Sequence, residues 1–264
     1  MDRNLKLFDT HAHYDAHQFD PDRDAVLSAL PGQGVALVVD PGCDLESSAA
    51  AVELAHRYPH VYAAVGWHPE SCGPYTDLSL RQLRDWCADP KVVAIGEIGL
   101  DYYWDENPPR DLQKTVFRSQ MALAEELNMP VIVHDREAHG DTMDIIRDFP
   151  GVRGVMHCFS GSAEMAKELV RLGWMISFTG VLTYKNARKA VEAAQAVPMD
   201  RLMIETDSPY MAPEPCRGHR CDSSLVYYVC EKLAALKGLT VEECARITRE
   251  NGCRFFGLPA VETT

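Results

Sequence analysis

Short runs of Val, Ile, Leu and Phe recur along the chain, separated by longer segments in which apolar residues return at helical spacing. Leu5 to Phe8, Val35 to Val39, Val61 to Val65 and Val92 to Ile95 come first, followed by Val131 to Val133, Gly154 to Met156, Trp174 to Phe178 and Leu202 to Ile204. These are eight candidate strands, and their near-continuous apolar character suits a parallel sheet covered on both faces. The segments between them have readable helix ends. Asp44 is placed to cap a helix running to about Tyr58, Pro108 and Pro109 open a long one ending near Asn128, and Ser162 and Gly173 bracket another. In the long helix Leu112, Val116, Leu123 and Leu127 recur at spacings of four and seven and mark the face that packs on strands. Thr240 and Glu243 read as a capping box for a final helix closing at Phe255-Phe256-Gly257. Strand and helix alternating eight times predict an α/β protein, a single (β/α)8 TIM barrel occupying residues 1–264 as one domain. An open doubly wound sheet shares much of this pattern, and no Pro/Ser-rich linker divides the chain.

Unusual polar residues follow these runs repeatedly, where a parallel barrel places its active-site loops. The first run leads into Asp9-Thr10-His11-Ala12-His13, and in extended chain residues two apart point the same way, so both imidazoles can converge on one ion. Taken alone, such a pair is more often structural than ligating. The third run ends in Gly66-Trp67-His68-Pro69, the fourth in Gly96-Glu97, the fifth in His134, the sixth in His157 and the eighth in Glu205-Thr206-Asp207. Six strand ends agreeing in this way are hard to explain as satisfied core groups. Clustered imidazoles and buried carboxylates are costly without a compensating cation.

The ligand count sharpens the expectation. His11, His13, His134 and His157 with Glu97 and Asp207 exceed the three or four donors that one catalytic zinc takes from protein. Two divalent ions are implied, with Glu97 placed to bridge them, and ions roughly 3.5 to 4 Å apart can share a hydroxide. Imidazole-rich ligation suits zinc or manganese better than an all-oxygen magnesium site, although all three metals stay open.

Composition adjusts this picture. A formal net charge of -13 argues against a dedicated nucleic-acid-binding module, yet two divalent cations would supply the positive field where a phosphate docks. The nine cysteines are an odd count without repeated CxxC spacing, which disfavours a disulfide framework. Cys158 beside His157, and Cys216 with Cys221, raise metal or redox roles against the commoner reading of small buried hydrophobes. No run approaches the roughly 18 apolar residues of a membrane span, and Met1-Asp2-Arg3-Asn4 does not open a signal-peptide core, so the expectation is a cytoplasmic protein with no membrane association and no obligate protein partner.

The residues resemble the TatD family of metal-dependent deoxyribonucleases, a branch of the amidohydrolase-like barrels, over essentially the whole chain. The segments that carry the likeness are Phe8 to His13, Val65 to Pro69, Gly96 to Tyr103, Pro130 to His134, His157 to Gly161 and Glu205 to Tyr210. The resemblance implies that His11, His13, Glu97 and Asp207 hold one ion while Glu97, His134 and His157 hold the other. It also places His68 and Glu205 near the metals, where they would bind phosphate or a further cation. The implied activity is hydrolysis of DNA phosphodiesters, with RNA as a further substrate, as a 3′–5′ exonuclease on single-stranded ends. After Pro213 the sequence Arg217-Gly218-His219-Arg220 fits the family's basic segment, but Cys221-Asp222-Ser223-Ser224 departs from the Asn and Pro expected next, within the substrate loop.

In the expected mechanism a hydroxide bridging the two metals attacks phosphorus, with Glu97 and Asp207 as catalytic carboxylates and Asp207 accepting the water's proton. Asp9 and Thr206 are candidates for orienting the ligands. Arg136, Arg217, His219 and Arg220 are candidate phosphate contacts; Lys185, Arg188 and Lys189 read more simply as a solvated helix face. Tyr102, Tyr103 and Trp104 either pack at a rim or stack an unpaired base. The same ligands would serve a hydrolase of small-molecule esters or amides, or a D-aminoacyl-tRNA deacylase, because metal ligation does not distinguish carbon from phosphorus as electrophile. A non-catalytic metal-binding scaffold is the rival from another class, and nothing in the ligand set looks lost.

Overall fold

The computed structural model describes residues 5–261. The opening residues weighed above as a signal segment lie outside them. Eight strands form one parallel sheet in sequential order: β1 Leu7–Asp9, β2 Val35–Pro41, β3 Val61–Val65, β4 Val92–Asp101, β5 Val131–Arg136, β6 Gly154–Met156, β7 Met175–Phe178 and β8 Leu202–Ile204. The sheet closes on itself where Thr10 N donates to Ile204 O at 3.2 Å and Ala12 bridges Ser208. This is the (β/α)8 barrel expected from the sequence.

The surrounding helices are α1 Arg23–Ala29, α2 Leu45–Arg57, α3 Asp77–Trp86, α4 Arg110–Leu127 and α5 His139–Asp148. They continue with α6 Ala163–Arg171, α7 Arg188–Ala196, α8 Val226–Lys237 and α9 Val241–Phe256. The capping residues act as their chemistry requires. Asp44 accepts from Ser47 N at 2.8 Å, Ser162 from Met165 N at 3.2 Å, and Thr240 and Glu243 close a reciprocal box on α9. In α4 Val116 and Leu123 are buried and Leu112 and Leu127 half-buried, so the predicted face does meet the strands.

β4 and β5 run three or more residues further than their apolar runs. β4 continues through Glu97 to Asp101 and β5 through His134 to Arg136, because Gly99 pairs with His134, Leu100 with Asp135 and Asp101 with Arg136. Gly99 permits it: at φ 140° it adopts a backbone few side chains tolerate, and a Cβ there would run into the His134 carbonyl. Glu97 and His134 therefore project from rigid strands, not from loops.

Inside the barrel, Phe8, Leu37, Val39, Ile132, Val155 and Met203 form an apolar plug, closed by Phe255 and Phe256 from the end of α9. Phe8 and Phe256 have ring centroids 5.9 Å apart. A second, larger core fills the space between strands and helices. No helix among the described residues is long and apolar enough to cross a membrane.

Candidate metal centre

Above the plug the interior changes character. Strand alternation carries Ile132 into His134, Val155 into His157 and Met203 into Glu205 two residues on, replacing an apolar layer with a polar one. The centre of this layer is Glu97, which is buried. Its Oε2 lies 3.2 Å from His11 Nε2 and 3.4 Å from His13 Nε2. Its Oε1 lies 2.7 Å from His157 Nε2, 3.0 Å from His134 Nδ1 and 3.3 Å from His68 Nε2. The two carboxylate oxygens thus face two different sets of imidazoles. Asp207 joins the first set, with Oδ1 3.7 Å from His11 Nε2 and 3.6 Å from His13 Nε2.

The outer nitrogens explain how the rings are aimed. His13 Nδ1 lies 3.1 Å from Pro41 O and His134 Nε2 2.9 Å from Asp101 Oδ2. His157 Nδ1 is 3.5 Å from Glu205 Oε1. An acceptor at the outer nitrogen draws the ring proton there, which leaves a lone pair on the inward nitrogen. His68 is the reverse case. Its Nδ1 accepts from Glu70 N at 3.3 Å, so in the neutral ring the proton sits on Nε2 and points at Glu97. Within this cluster His68 is built as a donor, whereas His13 and His134 turn a lone pair inward and His157 has Glu205 behind it; the outer Nδ1 of His11 has no hydrogen-bond partner among the described residues.

Electrostatics follow from crowding. Burial alone would raise the Glu97 pKa, but the charges of His157, His68 and His11 hold it well below the carboxylate range. Burial opposes charge on His134, yet hydrogen bonds to Asp101 and Glu97 outweigh it and raise the ring to about 9. His157 is raised well above 6.5 in the same way, burial being overcome by Glu97 and Glu205. His11 is lowered by burial and by the charge of His157.

The donor set fits divalent cations. His11, His13 and Glu97, then His11, His157 and Asp207, and then His68, Glu97 and His134, each bring ligand atoms within 4.8 Å of one another. His11 and His13 present ring nitrogens to each other at 3.1 Å, a separation natural for two lone pairs converging on one ion. A further group behind His13 comprises Asp15 and Asp40; burial and its neighbour Asp15 push the Asp40 carboxyl well up.

Three expected substrate contacts, Glu205, Arg217 and Arg220, lie elsewhere. Glu205 is buried beneath His157, where it accepts from Cys158 N at 2.5 Å, so it faces the ligand and not the cleft. Arg217 lies 4.3 Å from the Tyr184 ring centroid and outside the cleft lining, and Arg220 is tied to Asp22 at 2.7 Å. His68, Arg136 and Asp207 do line the cleft, a cavity of about 820 Å³ above the cluster. Lys189 reaches it as well, unlike Arg188, which pairs with Glu192.

Asp9 receives Thr206 N at 2.9 Å and Thr206 Oγ1 at 2.6 Å, tying the β1 end to the β8 end. The cysteines are all free, and burial raises the Cys43 thiol to about 12 and Cys158 well above its usual range, so both remain protonated. Asp101 was missed by sequence reasoning; its position two and four residues after Gly99 and Glu97, on one strand face, was the signal available.

A model of the family described as TatD related DNase matches residues 8–257. The chain belongs to the TatD family. It is 46% identical over 252 residues to the uncharacterized metal-dependent hydrolase YabD of Bacillus subtilis, covering 95% of this chain and 98% of that one. It is 32% identical over 262 residues to the 3′-5′ ssDNA/RNA exonuclease TatD of Musicola paradisiaca, covering 96% and 98%. The crystal structure of YjjV, a TatD homologue from Escherichia coli, superposes with a TM-score of 0.90 at 32% identity, covering 97% and 99%. As a TatD protein with these clustered His, Glu and Asp ligands, the chain is a metal-dependent hydrolase.

Proposed function

We propose that this TatD protein hydrolyses phosphodiesters of nucleic acid, removing nucleotides from single-stranded 3′ ends of DNA and, secondarily, RNA, with two divalent cations. The observation that carries the reading is Glu97, whose two oxygens are presented to separate ligand sets. The family description and the Musicola relative's name support phosphorus as the electrophile. His11, His13 and Asp207 would hold one cation and His134 and His157 the other, with Glu97 between them. Bound there, such ions supply an acidified water and positive charge against the charge building on phosphate.

The chain's own residues supply the rest. Asp207 lines the cleft and is 13% exposed at its side chain, against 4% for Glu97, and its Oδ1 lies 3.7 and 3.6 Å from His11 and His13. Of the two carboxylates in the cluster it is therefore the one placed to take the proton of an attacking water. His68 Nε2 is the proton-bearing ring nitrogen at the cleft floor, and it donates to a non-bridging phosphate oxygen, where developing negative charge strengthens the bond. Asp101, Glu205 and the Pro41 carbonyl keep the ligand rings from rotating.

The test is digestion of end-labelled single- and double-stranded DNA and RNA with Mg2+, Mn2+ or Zn2+ supplied separately. Progressive shortening of single strands from the 3′ end is expected. Oligonucleotides left intact with every metal, beside turnover of an ester, an amide or D-aminoacyl-tRNA, would overturn it.

A further inference from the structure

The mouth of the cleft holds a group of residues that the metal cluster does not use. Beyond β4 the chain passes through Tyr103 and Trp104, whose rings stand edge to face with centroids 4.6 Å apart. Both are open to water, at 49% and 44% exposure, and Trp104 lines the cleft. Against them lies Arg136, its guanidinium 3.7 Å from the Tyr103 ring centroid and 5.3 Å from that of Trp104. Among the described residues this guanidinium has no carboxylate partner, whereas Arg84, Arg118, Arg147 and Arg220 each end on one. Its charge meets only ring faces and the cleft, which leaves it free for an anion.

The group is held in place. Tyr102 N donates to Arg136 O at 2.9 Å, and Tyr103 N donates to Asp101 Oδ1 at 2.9 Å. Asn107 Nδ2 donates to the Asp101 carbonyl at 3.2 Å. Asp101 is the carboxylate that also fixes His134, so one side chain sets both the aromatic rim and a ligand of the cluster. The rim therefore stands at a set distance from the site of cleavage and needs little ordering to bind.

We infer that Trp104 and Tyr103 with Arg136 form a subsite for the unpaired nucleotide adjoining the scissile phosphate, the base stacking on Trp104 and the neighbouring phosphate meeting Arg136. The inference rests on the phosphodiesterase reading and adds what selects the strand. A base in a duplex is stacked and paired, and offers no free face; an unpaired base of any identity offers one. The subsite discriminates strandedness without reading sequence.

The experiment compares wild type with Trp104→Ala on a single-stranded oligonucleotide and on the same oligonucleotide with abasic residues at its 3′ end, which keeps the phosphodiester and removes the base. The substitution lowers kcat/KM for the intact oligonucleotide about tenfold more than for the abasic one, the size of one lost stacking contact. Equal losses on both substrates overturn the subsite and leave the phosphodiesterase reading standing. A wild-type enzyme inert on both overturns the reading and the subsite together. Binding without turnover gives a second measurement, in the metal-loaded Asp207→Asn protein: a thymidine oligonucleotide quenches tryptophan emission, and adding Trp104→Phe removes the quench. A quench that survives Trp104→Phe sinks the stacking role.

Discussion

The lower and upper halves of the barrel interior are built on the same strands and obey opposite rules. Below, Phe8, Ile132, Val155 and Met203 meet Phe255 and Phe256 in an apolar layer. Above, two residues further along the same strands, His134 and His157 face Glu97 and Glu205 backs His157. The lower layer gains free energy by leaving water; the upper layer loses hydration of several charged groups and recovers it only through mutual contacts. The difference teaches a division of labour: the plug holds the strands in register, and that register lets a costly cluster persist. Catalytic and stabilising positions are thereby separated along each strand by one alternation.

The sharpest way to break this comparison is in the upper layer. Asp207→Asn is expected to lower kcat/KM for bis(para-nitrophenyl) phosphate by about a thousandfold with the circular dichroism spectrum unchanged, because a neutral amide neither takes the proton nor balances the imidazoles. A variant keeping most activity would remove Asp207 from the chemistry. In the lower layer Phe256→Ala should cost about 3 to 5 kcal/mol in urea unfolding, by transfer and cavity terms, with turnover per folded molecule retained. An activity loss at unchanged stability would show that the two halves are not separable in this way. Asp101→Asn comes next, since the amide frees the His134 ring to rotate; cation affinity measured against a competing chelator is expected to weaken about 10- to 100-fold. Unaltered affinity would mean that packing alone aims the ring.

The smallest effect is a proton. His134 is raised to about 9 in the absence of a cation, so near neutral pH its ring is charged and must lose its proton to ligate. Cation binding is therefore expected to release protons, with the His134 contribution present below about 9 and fading as pH rises through that value. Titration calorimetry in buffers of different ionisation enthalpy reads this directly, and release that does not decline across this range would place the proton on another group.

Much of this was legible in the chain because it depends on local periodicity. Eight apolar runs, the Asp44 and Thr240 caps and the polar residues after six of the runs are short-range features, and the runs and caps mark elements that the structure contains. The His11 and His13 pair, Glu97, His134, His157 and Asp207 stand out because imidazole and carboxylate are expensive at strand ends. Less visible were Gln113 and Gln120 of α4. No local pattern sets them apart, yet Gln120 holds the Trp67 backbone at 2.8 and 3.1 Å and Gln113 holds that of Asp101 at 2.9 and 3.0 Å.

By itself the sequence determined which residues are chemically out of place in strands, and hence a list of candidate ligands and the barrel that gathers them, since alternation and burial cost act over a few residues. Only the tertiary structure decided that the oxygens of Glu97 face separate ring sets, that His68 turns a proton inward where its neighbours turn lone pairs, and that Glu205 and Arg217 lie outside the cleft. Those outcomes depend on which acceptor or ring lies beyond each side chain, and such partners come from strands and loops far away in the chain, brought together only when the sheet closes.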